Sequence, residues 1–309
     1  MGLMRSILLW GSRSKVLRET LPRFRFIRAA VDRFMPGEEI EDALDAAESL
    51  KSKGFMTVVT HLGENLTLES EANGVAQHYL KVLDLIRQRG LDCHVSLKLT
   101  QLGLYLDEDL CYRHLVSLVR RAKEVDNFVW IDMESSPYVD RTLDMFRRLR
   151  AEFSNVGVCL QSYLYRTAND IDDLLPLAPS IRLVKGTYAE PKRVAYTSKK
   201  DVDDSFFVLA RQLLTAAKSD GMIIGVATHD LDLIQRIDRS MSDDSIGRQR
   251  YEVQMLYGIR RETQSELVNQ GFRVRVLVSY GSFWFPWYMR RLAERPANVW
   301  FVLKNIFAR

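Results

Sequence analysis

The chain has 309 residues, 47% hydrophobic and 27% charged, and a formal charge of +4. That length buries a large core, as one barrel-sized domain or two smaller ones, and acids and bases mixed along it give no sign of bulk nucleic-acid binding. No apolar run approaches the roughly 20 residues of a membrane span, and Cys93, Cys111 and Cys159, without a CxxC spacing, fit free thiols in a reducing cytosol better than disulfides or zinc.

Residues 1–37 read as a helical segment ahead of a main domain spanning 38–309. MGLMRSILLW has a short apolar patch but no small-residue cleavage site, so it reads as a helix start and not an export signal. From Ser6 to Arg33 the pattern is basic and amphipathic, suited either to solvent or to an anionic lipid surface.

Helical and strand patterns then alternate. IEDALDAAESLKSKG repeats its apolar residues at three and four and ends on Gly54. The strand run MTVVTHLG (Met56–Gly63) follows, then the helix SEANGVAQHYLKVLDLIRQRG, closing on Gly90. Next come the strand HVSLKLT (His94–Thr100), the helix DEDLCYRHLVSLVRRAKEV, the strand FVWIDME (Phe128–Glu134) and the helix VDRTLDMFRRLRAEF. Further strand runs are VGVCLQSY (Val156–Tyr163), SIRLVKG (Ser180–Gly186), MIIGVATH (Met222–His229), YEVQMLYG (Tyr251–Gly258) and VRVLVSYG (Val274–Gly281). Eight βα units in about 250 residues predict an α/β protein, a (βα)8 TIM barrel. Two Rossmann halves are the rival, but no GxGxxG follows any strand.

The strand ends share a chemistry. Each run opens apolar and closes polar, at Lys98, Asp132 with Glu134, Gln161, Lys185, His229, Gln254 and Tyr280, with Glu64 just past the first. In a barrel those ends meet at one face and would line a polar bowl. Lys98, inside SLKLT, needs an anion, and Asp132 on the next strand is the natural one. Either Lys98 is a Schiff-base lysine with a lowered pKa or it stays a cation held by Asp132 and a substrate carboxylate. Arg182 and Lys185, closing on Gly186, suit an anionic group or an electron-rich ring. His229 reads as a hydrogen-bonding or core histidine, since no second histidine stands at metal-ligand spacing.

After Pro286, WYMRRLAER predicts a helix with Arg290 and Glu294 on one face and Arg291 about 100° round. Following the eighth strand, its first turn should overhang the bowl. Paired guanidinium groups there suit a substrate carboxylate.

THLGE, SLKLTQLGL, IDMESSP, LQSYLYRT, RLVKGTYAEPK, ATHD, QMLYGIR and YMRRLAERPAN stand in the order found in the proline dehydrogenases. From about Pro36 onward the chain resembles that family, in its short single-activity bacterial form and not in the fusions carrying an aldehyde dehydrogenase. The resemblance implies a barrel holding FAD non-covalently at the strand C-termini, with the last helix over the mouth. It implies oxidation of L-proline to 1-pyrroline-5-carboxylate, the first step of degradation to glutamate, with electrons passing to a membrane quinone. A cytoplasmic protein is then expected, with peripheral contact at the inner face of the membrane.

Position by position, the resemblance gives Lys98, Arg290 and Arg291 the proline carboxylate, with Asp132 orienting Lys98 and the ring. It places Tyr280 and Leu256 on the pyrrolidine and Tyr188 in the same pocket. Arg182 would reach the flavin near N5. Met133, Gln161, Val184, Lys185, Gly186, Thr228, His229, Gln254 and Glu294 would line the cofactor, and Glu64 would pair with Arg290 as a gate. Two positions depart from the family: Trp287, where Tyr is usual, and Thr60, where some relatives have an acid. A Schiff-base lyase using Lys98 or Lys185, and a barrel without catalysis, remain the other readings.

Overall fold

The computed structural model describes residues 31, 33–63, 66–217 and 221–285. Most of the expected N-terminal helix lies outside the described residues. So do Glu64, Trp287, Arg290, Arg291, Glu294 and the helix expected to cover the mouth.

Each strand run of the sequence forms a strand: β1 Met56–His61, β2 Cys93–Lys98, β3 Val129–Asp132, β4 Val156–Gln161, β5 Ser180–Val184, β6 Ile224–Ala227, β7 Glu252–Leu256 and β8 Arg273–Tyr280. They pair in parallel in chain order, and β8 closes on β1 with Thr60 opposite Ser279. The protein is a closed (βα)8 barrel. Its described helices are α1 Ile40–Lys51, α2 Glu69–Gln88, α3 Glu108–Glu124, α4 Val139–Arg150, α5 Thr167–Leu174, α6 Lys199–Ala216, α7 Leu231–Asp243 and α8 Arg261–Asn269.

The helices form where apolar residues recur at three and four, and those residues cover the strands' outer faces. Leu83 and Ile86 of α2, Leu115 and Val119 of α3 and Phe146 and Leu149 of α4 join Val59, Val95, Leu97 and Ile131 in one core. Local chemistry ends the helices where the sequence predicts. Asp107 Oδ1 accepts from the amides of Asp109 at 2.8 Å and Leu110 at 3.1 Å to start α3, and Gly90, at φ 59°, follows the end of α2.

The strands are shorter than their apolar runs. Lys98 and Asp132 make the last β2–β3 rung, and Glu134 lies past it, accepting from Thr100 N at 3.1 Å and Thr100 Oγ1 at 2.8 Å. Inside the barrel, Val58, Phe128 and Trp130 form a small apolar plug against which Leu277 packs. Gly157 on β4 makes room for it: a Cβ there would stand 2.6 Å from the Trp130 ring. Polar side chains lie on both sides of this plug, and those towards the strand C-termini open on a cavity.

Candidate active site

The cavity, of about 710 Å³, sits at the C-terminal mouth of the barrel, where βα loops build active sites. Its polar centre is Asp132, at the end of β3. One carboxylate oxygen accepts from Arg182 Nη1 at 2.9 Å and from Ser96 Oγ at 2.8 Å, while the other lies 3.7 Å from Lys98 Nζ. Strand alternation causes this convergence, because Ser96, Lys98, Trp130, Asp132 and Arg182 all occupy inward positions on β2, β3 and β5.

Arg182 is 3% exposed and donates three hydrogen bonds. Its Nε donates to Gln254 Oε1 at 2.7 Å, Nη1 reaches Ser96 and Asp132, and the guanidinium carbon lies 4.8 Å from the Trp130 ring centre. Nη2 is buried with no hydrogen-bond partner among the described residues. On the neighbouring strand β4, Gln161 donates to the Glu134 carbonyl at 2.7 Å, leaving its own Oε1 buried and without a partner among the described residues. A guanidinium donor and an amide acceptor are thus left for a bound group.

Lys185, just past β5, donates to Asp203 and, at 3.2 Å, to Asp230. Burial works to raise the Asp230 carboxyl, yet hydrogen bonds and charge from Lys185 and Lys199 hold it below its ordinary value. Each candidate Schiff-base lysine therefore has a carboxylate partner, which favours the reading of Lys98 and Lys185 as fixed cations. Cys159 shares the wall, and burial pushes its thiol up to about 12, so it stays protonated.

The loop after β5 forms one side of the mouth. Lys185 O accepts from Tyr163 N at 3.0 Å, and Tyr196 N donates to Tyr163 O at 2.8 Å. Glu190 accepts from Ser136 N at 2.7 Å, tying this loop to the one after β3. Tyr188 is thereby brought to the cavity. Gly186 begins the loop at φ 109°, and a Cβ on it would stand 2.3 Å from the Tyr163 ring. The glycine is required by that close approach as well as by its dihedral.

A sequence model of the family described as Proline dehydrogenase matches residues 43–304. The chain belongs to the proline dehydrogenase family. It is 40% identical to proline dehydrogenase 1 of Bacillus subtilis strain 168 across 98% of this chain and 99% of that one. To the proline dehydrogenase of Deinococcus radiodurans it is 39% identical, over 89% of each chain. The bifunctional protein PutA of Escherichia coli is 28% identical over 89% of this chain, which spans only 24% of PutA. In fold, the chain resembles the crystal structure of proline utilization A from Bdellovibrio bacteriovorus inactivated by N-propargylglycine, with a TM-score of 0.82 and 21% identity over 94% of this chain and 36% of that one.

The positions carried over from the proline dehydrogenases fall into three groups. Lys98, Asp132, Met133, Gln161, Arg182, Val184 and Lys185 line the cavity, as do Gly186, Tyr188, Thr228, His229, Gln254 and Leu256. His229 Nε2 also accepts from Leu256 N at 3.4 Å, joining the ends of β6 and β7. Glu64, Arg290, Arg291 and Glu294 lie outside the described residues.

Tyr280 is the correction. It is 1% exposed and absent from the cavity wall, and its hydroxyl meets His78 Nε2 of α2 at 2.8 Å. Burial, then the charges of His78 and Lys98, bring the adjacent His61 down to about 4, so that ring is neutral near pH 7. Side chains alternate along β8, and Leu277 and Ser279 take the inward positions on the cavity. Arg273 and Arg275 carried the missed signal: counting on by twos from a charged pair inside an apolar strand reaches Leu277 and Ser279, not Tyr280. Thr60, already noted as unusual for the family, also lines the wall. Ser96 and Asp203 escaped notice because neither closes a strand.

Proposed function

We propose that the cavity binds FAD and L-proline together and that the protein oxidises L-proline to 1-pyrroline-5-carboxylate, opening proline catabolism and passing the electrons to a membrane quinone. The observation that carries this reading is a buried pair without partners among the described residues, Arg182 Nη2 as donor and Gln161 Oε1 as acceptor. An isoalloxazine presents both complementary functions, ring nitrogens that accept and an imide N–H that donates. Volume agrees, since about 710 Å³ lies within the roughly 300–1,000 Å³ of small-molecule and cofactor sites. Bound FAD would supply the two-electron acceptor for the hydrogen on the carbon beside the proline nitrogen.

The residues then have distinct tasks. Lys98, held by Asp132, offers a cation to the substrate carboxylate, with Arg290 and Arg291 as further members of the clamp. Fixing a small acid at several points sets its reactive C–H in one direction, which is the main contribution this site makes. Leu256 and Leu277 supply apolar wall for the ring methylenes. Arg182, prevented from turning by Gln254, Ser96 and Asp132, keeps a positive donor where negative charge develops. Proline must react as the neutral amine, and no protein nucleophile is needed. Contact with the membrane where quinone resides is assigned to the basic segment from Ser6 to Arg33; no helix among the described residues is long and apolar enough to cross a membrane.

The test is an absorbance spectrum of the purified protein, without oxygen, before and after L-proline. A flavin band that bleaches supports the proposal. A colourless protein, or a band indifferent to L-proline, would refute it, and borohydride trapping of a carbonyl compound on Lys98 or Lys185 would establish the lyase reading instead.

A further inference from the structure

Below the cavity the barrel holds a second set of charges that the reaction does not touch. Glu252 on β7 and Arg275 on β8 are 0% and 2% exposed. They pair through two hydrogen bonds, Arg275 Nε to Oε2 at 2.8 Å and Nη2 to Oε1 at 3.0 Å. Arg275 Nη1 continues to Asp92 at 3.1 Å. Burial favours a neutral Glu252, but the charge and hydrogen bond of Arg275 outweigh it and hold the carboxyl below its ordinary value.

Gln254 connects this pair to the active site. Its Nε2 donates to Glu252 Oε2 at 3.0 Å, and its Oε1 accepts from Arg182 Nε at 2.7 Å. A side-chain amide ordinarily presents either end to a neighbour. Here neither neighbour accepts the reversal, because an ionised carboxylate only accepts and a guanidinium only donates. Gly225, across on β6, leaves room for the amide, since a Cβ there would stand 2.7 Å from Gln254 Nε2.

We propose that Glu252 is a positioning residue: it fixes the Gln254 amide with its oxygen towards Arg182, and so holds the guanidinium that faces the cavity. With the carboxylate gone, only Arg182 still opposes the reversal; in the fraction of molecules where the amide turns, its NH2 is set against the Arg182 Nε–H. Two donors cannot share that contact, so the guanidinium swings away from Asp132 and Ser96. The proposal rests on the reading of Arg182 as the flavin's neighbour.

The sign of one measurement separates this coupling from a simple field effect. Removing a negative charge stabilises a reduced, anionic flavin and raises its midpoint potential. Displacing a positive donor lowers it. For Glu252→Gln in the FAD-loaded protein, the midpoint potential is expected to fall. Single-turnover bleaching by L-proline is expected to slow about ten-fold, the effect of roughly one good hydrogen bond.

In a Gln254→Met background the amide is absent, so Glu252→Gln should leave the bleaching rate unchanged and the potential unchanged or raised. A potential that rises in the otherwise unaltered protein overturns the coupling, as does equal slowing in both backgrounds or no change in either. If Glu252→Gln alone does not fold, Glu252→Gln with Arg275→Met removes both buried charges together. That pair must lower the potential and slow bleaching when Gln254 is present, and unchanged values reject the proposal. Bleaching of the unaltered protein is measured first. If that fails, the flavin reading and the coupling fall together; if it succeeds, only the coupling is at stake.

Discussion

Neutralising Asp132 tests the centre of the site, and its contacts set the size of the effect. In Asp132→Asn the bonds from Ser96 at 2.8 Å and Arg182 at 2.9 Å can both persist, but with a neutral acceptor. Exchanging a charged for a neutral partner loses about 1–1.5 kcal/mol at the buried Arg182. The Lys98 contact, at 3.7 Å between side chains 18% and 17% exposed, is too long for a strong hydrogen bond. It adds about 1 kcal/mol, the upper end for exposed pairs. Asp132→Asn should therefore lower the unfolding free energy by about 2–2.5 kcal/mol. Asp132→Ala also deletes both bonds and leaves Arg182, its side chain 4% exposed, with the neutral Gln254 and Ser96 as its hydrogen-bond partners among the described residues, so about 3–5 kcal/mol is expected. Urea unfolding of the three proteins measures this, with kcat/KM for L-proline expected to fall in the same order. An Asn variant as stable as the parent, or Asn and Ala variants of equal stability, would show that Asp132 does not hold the two cations.

Gly186→Ala should cost about 2–5 kcal/mol, combining a left-handed dihedral with a clash on Tyr163, and unchanged urea stability would sink that account. Asp238 accepts from Arg248 at 2.9 and 2.7 Å and from Tyr251 at 3.0 Å, and the Arg248 hydrogen bonds hold its carboxyl below the ordinary value. A lowered folded pKa means that its contribution is complete above the unfolded value of about 3.9 and is lost as pH falls through the folded one. The stability gap between parent and Asp238→Asn should thus close on acidification below about pH 4, and a gap independent of pH contradicts the pairing. Tyr280→Phe should lose about 1 kcal/mol of stability through the His78 bond while leaving KM for L-proline unchanged, and a raised KM would return Tyr280 to the cavity.

Much of this protein is legible one segment at a time. Strand and helix reflect periodicities of two and of three to four, and the Asp107 cap and Gly90 signal use neighbours in sequence. The barrel follows from the repetition of those segments, and the polar strand ends from the rule that such ends share a face. The strand-end positions Lys98, Asp132, Gln161 and Gln254 were visible in this way, and the family resemblance extended the set to positions such as Met133, Val184 and Leu256. The error at Tyr280 arose because a polar residue at a strand end is not enough. Which face it takes is a matter of register, and one residue separates the cavity from the helix layer.

Sequence alone thus determined the eight units, their order and the residue types gathered at the mouth, because local propensity and alternation act within a few residues. Only barrel closure decided which of them touch. Ser96 and Arg182 meet at Asp132, and Gln254 spans the distance between Arg182 and Glu252, because strands far apart in the chain turn their inward side chains into one narrow interior. Charges buried in that interior need partners there, and the choice of partner depends on tertiary distance, not on spacing along the chain.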